Sequence, residues 1–155
     1  AFSLIDDKGI KLIIAGQVEE NYKKDLMNKA KKLGVADRVK FLGIVPRKKL
    51  IKLITMAEVY VFLTPQEDFG LTPAEAISCG TPVVIWGDKG GPTEQIIHGV
   101  NGYCAVPYNT SDYALQIQKA IKTSWITARI LVSAQKFSSK EVKKGFMEAI
   151  NEKRR

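Results

Sequence analysis

The sequence predicts an α/β fold in which a parallel sheet is covered by helices on both faces. Three features lead there: short continuous apolar runs of strand length, amphipathic stretches of helical length between them, and glycines or prolines closing most segments. The 155 residues are 45% hydrophobic and 26% charged, the length of about one domain and the balance of a globular protein. No repeat, low-complexity tract or linker interrupts them, so residues 1–155 are expected to form a single domain.

The first strand is expected at 11–15, an apolar run ending at Gly16 and suited to burial on both faces. Ahead of it, residues 1–5 read as the last turns of a helix, followed by the turn Asp6-Asp7-Lys8-Gly9. A sheet of this type begins with a strand, so a strand upstream of Ala1 is expected, and an opening Ala rather than Met points to an excised piece. Residues 21–33 give a helix with Leu26, Ala30 and Leu33 on one face and Gly34 as its C-cap. A short strand at 39–42 stops at Gly43 and Pro46. The helix over 47–56 turns Leu50, Leu53 and Ile54 inward and Lys48, Lys49 and Lys52 outward. Residues 59–63 form a second continuous apolar strand. Thr72-Pro73-Ala74-Glu75 opens a helix running to about Cys79, and Gly80-Thr81 turns into a strand at 82–85. A short helix near 92–97 and a strand near 102–105 follow, then helices over 111–122, 125–136 and 139–152.

The net charge of +8 is unevenly spread. Residues 61–110 hold Lys89 alone against Glu67, Asp68, Glu75, Asp88 and Glu94, so basic flanks surround an acidic middle rich in glycine and proline. Most of the lysines read as solvated helix faces. The run Arg47-Lys48-Lys49-Leu50-Ile51-Lys52 lacks the interleaved aromatics of a nucleic-acid groove, so no nucleic-acid partner is expected. An anionic membrane surface would suit these lysines better. No apolar run approaches the roughly 20 residues that span a bilayer, and no signal peptide opens the sequence. Cys79 and Cys104 lie far apart and His98 is the one histidine, too few ligands for a zinc site and a poor basis for a nucleophile–histidine pair. Both cysteines are expected as buried thiols in a reducing compartment.

In open parallel sheets ligands bind where loops leave the carboxyl ends of the strands. The densest group of unusual residues stands at such a point, after the strand at 59–63: Glu67-Asp68-Phe69-Gly70-Leu71-Thr72-Pro73-Ala74-Glu75. Gly70 lets backbone pass close to a ligand, and the helix opening at Pro73 aims unpaired N–H groups and its positive dipole end at the loop. Glu67 and Glu75 add acceptors for sugar or ribose hydroxyls. A structural alternative stands beside this reading: Thr72-x-x-Glu75 with Pro73 is a capping-box pattern, and Gly90-Gly91-Pro92 is either a loop or an approach to phosphate. Residues alone support an anion or polyol site. A dinucleotide-binding G-x-G-x-x-G and a P-loop are both absent.

The string E-D-F-G-L-T-P-A-E-A-I-S-C-G-T-P-V-V over 67–84 resembles the signature of the large glycosyltransferase family that includes mannosyltransferases and sucrose synthase, marked by two glutamates with seven residues between them. Similar runs extend over most of the sequence: K-L-I-I-A-G at 11–16, D-R-V-K-F-L-G at 37–43, A-E-V-Y-V-F-L-T-P at 57–65, G-G-P-T-E at 90–94, G-V-N-G-Y at 99–103 and K-F-S-S-K-E-V at 136–142. The resemblance implies a Rossmann-like domain, the C-terminal, donor-binding half of a two-domain GT-B enzyme, truncated here at its N-terminus. It implies a hexosyltransferase using a nucleotide-diphosphate sugar, of GDP-mannose or UDP-sugar type, with retention of configuration and with neither metal nor cofactor.

Position by position, the resemblance implies that Glu67, with Asp68, binds hydroxyls of the transferred sugar. The N–H groups of Phe69, Gly70 and Leu71 would receive sugar and diphosphate. Glu75, with Thr72, would hold the nucleotide at its ribose. Ile44 and Val45 would pack on the base, and Gly16 would leave room near the phosphates. The family's phosphate-clamping Arg and Lys have no counterpart before Gly16, since Lys8 sits beside the turn, so they are expected upstream of Ala1. The N-terminal acceptor domain is expected as a separate partner, and this piece alone is expected to be inactive. The cytoplasm is the expected location, peripheral to the inner face of the membrane where a lipid-linked acceptor would reside. Alternatives are a phosphorylase on the same architecture, for which no pyridoxal-lysine context exists, and a non-catalytic nucleotide/sugar-binding or assembly module.

Overall fold

The computed structural model describes residues 1–138. The apolar runs form strands β1 (Leu12–Ala15), β2 (Val39–Gly43), β3 (Tyr60–Phe62), β4 (Val83–Trp86) and β5 (Gly102–Ala105). Between them stand helices α1 (Glu20–Lys32), α2 (Arg47–Thr55), α3 (Leu71–Ser78) and α4 (Gly91–Gln95), and after β5 come α5 (Thr110–Lys122) and α6 (Thr127–Ala134). Every strand pair is parallel, as strands separated by helical crossovers must be. The strands form two groups, β1-β2 and β3-β4-β5. Leu12 faces Val39 and Ile14 faces Phe41, and a register slip then sets Ala15 against Gly43. Tyr60 pairs with Val83, and Val83 in turn with Gly102.

Alternation along β4 divides the core. Val84 joins Tyr103, Ala105, Tyr113, Ile117 and Ala120 under α5, whereas Val83 and Ile85 join Ile54, Ala76, Ile77 and Ile130 under α2, α3 and α6. Helices therefore cover both faces, as expected. Tyr113 ties the first face to the sheet edge-on: its hydroxyl donates to Val84 O at 2.7 Å and accepts from Phe62 N–H at 3.1 Å. Burial raises its pKa well beyond the ordinary phenol range. Helix ends follow local chemistry: Gly34 closes α1 at φ 67°, and Asn109 caps α5 by accepting from Asp112 N–H at 3.0 Å.

Several expectations are corrected. Burial on both faces holds for β4, where Val83, Val84 and Ile85 are 0–1% exposed, but fails for β1, whose Ile13 is 41% exposed, and for β3, which is half-buried throughout. Strand neighbours alone do not explain it, since among the described residues β5 also bonds to one strand yet buries Tyr103 and Ala105 beneath α5; the cover supplied by helices sets the difference. Leu33 lies exposed rather than on the inner face of α1. No capping box forms, because α3 starts at Leu71 behind Gly70 and makes no side-chain cap bond. Cys79 and Cys104 are half-buried free thiols. Burial, and then the charge of Asp88, push the Cys104 thiol pKa up.

At the start of the chain the helical turn is a single 3-10 turn, Phe2–Leu4. Residue Trp125 stays outside α6, its indole N–H bonded to Ala120 O at 2.7 Å, and the 3-10 turn Gln135–Phe137 finishes that helix. The helix expected over 139–152 and the end of the run at 136–142 lie outside the described residues. Among the described residues no helix is long and apolar enough to cross a membrane.

Candidate functional site

The loop from β3 to α3 is held by close backbone packing. Gly70, the residue before α3, adopts φ 75° and ψ 76°, a left-handed conformation that favours glycine. A side-chain carbon on it would also stand 2.6 Å from Pro92 Cγ. Gly90 and Gly91 press against the loop from the other side. A Cβ on Gly91 would lie 1.8 Å from Asp68 O and one on Gly90 2.9 Å from Glu67 O, while Gly91 N–H donates to Glu67 O at 2.8 Å. The paired glycine thus brings two loops into backbone contact. Asp88 fastens the same junction, accepting from Gln66 N–H at 2.8 Å and from Gly90 N–H at 3.1 Å. Its two loop neighbours, Gln66 at φ 49° and Lys89 at φ 67°, are held in the left-handed region.

Gln95 orients the N-terminus of α3. It is 1% exposed, and its side-chain amide donates to Phe69 O and to Gly70 O, the latter at 3.1 Å. A trans peptide points its N–H opposite its carbonyl. Anchoring these two carbonyls inward therefore turns the N–H groups of Gly70 and Leu71 away from Gln95. Gly70 N–H meets Glu67 Oε1 at 3.3 Å. Among the described residues Leu71 and Thr72 N–H have no acceptor, the state of a helix start that is ready for an anion.

Two clefts flank the loop. The first, about 410 Å³, is lined by Glu67, Asp68, Asp88, Glu94, Lys89 and Gln95, with Phe69 and Phe137 at its side. Four carboxylates against one lysine make it a place for hydroxyl donors rather than for free anions. The second, about 350 Å³ and more apolar, is lined by Arg47, Leu50, Ile51, Leu71 and Glu75, again with Phe69 and Phe137. The two rings meet edge to face, their centroids 5.9 Å apart, as the wall between the clefts. Glu75 Oε1 accepts from Arg47 Nη1 at 2.7 Å; the Arg47 side chain is 69% exposed and that of Glu75 34%.

The structure brings Glu67, Asp68 and Phe69 together at the first cleft, and Phe69, Leu71 and Glu75 at the second, with Gly70 packed at the hinge between them. Thr72 is exposed and lines neither cleft. Gly16 N–H bonds Gly43 O at 2.8 Å, which sets Gly16 beside the loop that carries Ile44 and Val45. These three line neither cleft, and Arg47 alone links their loop to Glu75. Sequence reasoning missed Gln95, Arg47, Asp88 and Phe137. Asp88 had a signal, since Asp before Lys-Gly-Gly favours a side-chain-to-backbone turn. Gln95, the residue after the G-G-P-T-E run, had none. No group of three or more metal-ligating side chains occurs among the described residues.

The family model described as glycosyl transferases group 1 matches residues 1–137. An uncharacterized glycosyltransferase of Methanocaldococcus jannaschii is 34% identical over 134 residues, which cover 86% of this chain and 33% of the relative. A D-inositol 3-phosphate glycosyltransferase of Nocardiopsis dassonvillei is 32% identical over 109 residues, covering 70% and 25%. Among solved structures, Anabaena HepE in complex with UDP and glucose superposes with a TM-score of 0.81 at 26% identity, over 97% of this chain and 42% of that one. The chain thus spans a third or less of the length of these two curated relatives. The fold is the Rossmann-like half of the GT-B architecture.

Proposed function

The chain belongs to the group 1 glycosyl transferases, and from that premise we propose that it is the donor-binding part of a hexosyltransferase using a nucleotide-diphosphate sugar. The observation that carries the reading is the pair Glu67 and Glu75 on either side of the α3 N-terminus, whose amides Gln95 turns outward. Glu67 and Asp68 accept hydroxyl hydrogens of the sugar in the acidic cleft. The N–H groups of Leu71 and Thr72, with the helix dipole, receive the diphosphate and stabilise the charge that develops as the sugar leaves. Glu75 takes the ribose, in exchange for or alongside Arg47, and Ile44, Val45 and Gly16 border the nucleotide from the β1–β2 side. HepE complexes with UDP and with UDP-glucose support a UDP-sugar. A mannosyltransferase relative from Dictyostelium discoideum, 29% identical over 118 residues, supports a mannosyl donor of GDP-mannose type.

Retention of configuration, independence of metal, a partner acceptor-binding domain and a cytoplasmic site of action belong to the same proposal. So does peripheral contact with anionic lipid through exposed Lys48, Lys49 and Lys52 beside exposed Ile51. The test is calorimetric titration with UDP, GDP, ADP, UDP-glucose and GDP-mannose, of this chain and of a version extended at its N-terminus. Glu75→Ala should weaken nucleotide and sugar nucleotide alike, by about 1–3 kcal/mol, and Glu67→Ala only the sugar-bearing form. Equal losses for both ligands with Glu67→Ala would overturn the role assignment, and an absence of binding in both forms would overturn the donor reading. Unchanged transfer in excess EDTA, and product anomers read by NMR, test metal independence and retention.

A further inference from the structure

The two phenylalanines in the wall between the clefts stand apart from the core. Among the described residues neither Phe69 nor Phe137 belongs to the cluster under α5 or to the one under α2, α3 and α6. Phe69 is 44% exposed and Phe137 half-buried, yet each lines both clefts, and their rings meet edge to face at 5.9 Å and 84°. A ring pair this exposed adds little to the core, and it stands where the two clefts meet.

The turn Gln135–Phe137 that carries the second ring is itself tied down. Lys136 Nζ donates to Glu94 O at 2.7 Å and lies 4.8 Å from the Phe137 ring centroid, a cation over a π face. The next residue of α4, Gln95, donates to Phe69 O and Gly70 O. These contacts close a circuit: the Phe69 carbonyl to Gln95, the Glu94 carbonyl to Lys136, and the Phe137 ring back to the Phe69 ring. Gln95 fixes the backbone of the loop but leaves the Phe69 side chain a choice of staggered wells. The edge-to-face contact with Phe137 selects the one that stands in the wall. In another well the ring would leave the wall and the two clefts would join.

We propose that Phe137 is a positioning residue for the donor: acting through Phe69, it keeps the two clefts separate on either side of the α3 N-terminus. Its part in binding rests on the donor reading above, whereas its hold on Phe69 does not. For a nucleotide-diphosphate sugar the consequence is register. With the wall standing, the hexose lies with Glu67 and Asp68 and the ribose with Glu75. The diphosphate between them then crosses the N–H groups of Leu71 and Thr72. Without the wall the hexose is free to slide toward the second cleft, so UDP-glucose loses more than UDP, which has no hexose to misplace.

The test compares Phe137→Leu, which keeps the apolar bulk and removes the ring, with Phe137→Tyr, which keeps the ring. NMR couplings report the Phe69 rotamer. Amide exchange at Gly91, whose N–H donates to Glu67 O, reports the loop, and exchange at Val84 reports global stability. With leucine, Phe69 should average over its rotamers, and Gly91 should exchange about fivefold faster or more relative to Val84. Tyrosine should restore both. By calorimetry, UDP-glucose affinity should fall about fivefold or more with leucine and UDP affinity by less than about twofold; adding Phe69→Leu should cost nothing further, because one residue acts through the other. An unchanged Phe69 rotamer, a Val84 amide that accelerates as much as Gly91, or losses that multiply in the double variant would overturn the proposal. Equal losses of UDP and UDP-glucose would overturn the separation of the clefts. If the parent binds neither ligand, the donor reading fails, and an averaged Phe69 rotamer with leucine still upholds the hold of Phe137 on the loop.

Discussion

Gln95→Leu separates the hydrogen bonds of Gln95 from its bulk. The residue is 1% exposed and its amide serves Phe69 O and Gly70 O, so leucine keeps the volume but leaves two carbonyls without that donor. Each net hydrogen bond is worth about 0.5–1.5 kcal/mol, and a buried polar group left unpaired costs about 1–3. Against this, Gln95 Oε1 is itself buried without a partner, and its removal returns about 1 kcal/mol. The balance is a loss of about 1–3 kcal/mol, or roughly 2–12 °C in Tm for a domain of this size. Urea unfolding followed by circular dichroism measures the stability. Hydrogen exchange at Gly70, Leu71 and Thr72, compared with Val84, shows whether the loss is local. The expected result is lower stability, freer loop amides and weaker binding of any nucleotide. A Gln95→Leu protein within about 0.5 kcal/mol of the parent, with unchanged exchange in the loop, would refute the claim that this side chain sets the amide directions.

Gly91→Ala should cost about 1–3 kcal/mol in urea unfolding, because its Cβ would meet Asp68 O at 1.8 Å. Gly99→Ala, at φ 74° with open space around it, should cost only the backbone strain of about 1–2 kcal/mol. Arg47→Ala should leave stability within about 1 kcal/mol, since the pair with Glu75 is largely solvent-exposed; an altered nucleotide affinity by calorimetry would then mark Arg47 as orienting Glu75. Tyr113→Phe should destabilise by about 1–3 kcal/mol, read by urea unfolding, because Phe62 N–H and Val84 O lose a buried partner. Cys104 alkylation should gain rate only above the pH of an ordinary thiol, because burial first and Asp88 second disfavour its thiolate. Asp88→Asn should bring that pH part of the way down. The sign for stability follows: the contribution is full below the unfolded thiol pKa and is lost as pH rises through the higher folded value.

Every strand in the described residues was legible, because a short, mostly apolar run bounded by glycine or proline admits few other structures. Its depth of burial was not. The apolar runs at 11–15 and 82–85 look alike in composition, yet Val83 to Ile85 are sealed and Ile13 is open. Burial depends on which helices cover a strand, as α5 covers the edge strand β5, and that is set by chain topology over long separations rather than by the local run. The start of α3 was misplaced by two residues for a local reason. Pro73 reads as the first helical residue, as its fixed φ permits, but Gly70 reverses the chain earlier and lets Leu71 and Thr72 join the first turn.

The site divides along the same line. Glu67, Gly70 and Glu75 could be found in the sequence because their chemistry is local: a loop, a left-handed glycine and a carboxylate one helical turn further on. Gln95 acts 25 residues from the carbonyl it holds, and Arg47 acts 28 residues from Glu75. An arginine at the start of a lysine-rich helix is, by composition, one more solvated charge, and only the fold turns it toward the second cleft. The paired glycine shows how the two cases combine. Its spacing invited a phosphate reading, but atoms as close as 1.8 Å from a Gly91 Cβ give it a prior task, the joining of two backbones. If that junction forms the floor under Glu67, then residues that touch no ligand, Gly91, Asp88 and Gln95, govern how well the loop binds one. Their substitutions should change stability and affinity together, whereas Glu67→Ala, which gives up one 3.3 Å bond from Gly70 N–H, should change affinity more than stability.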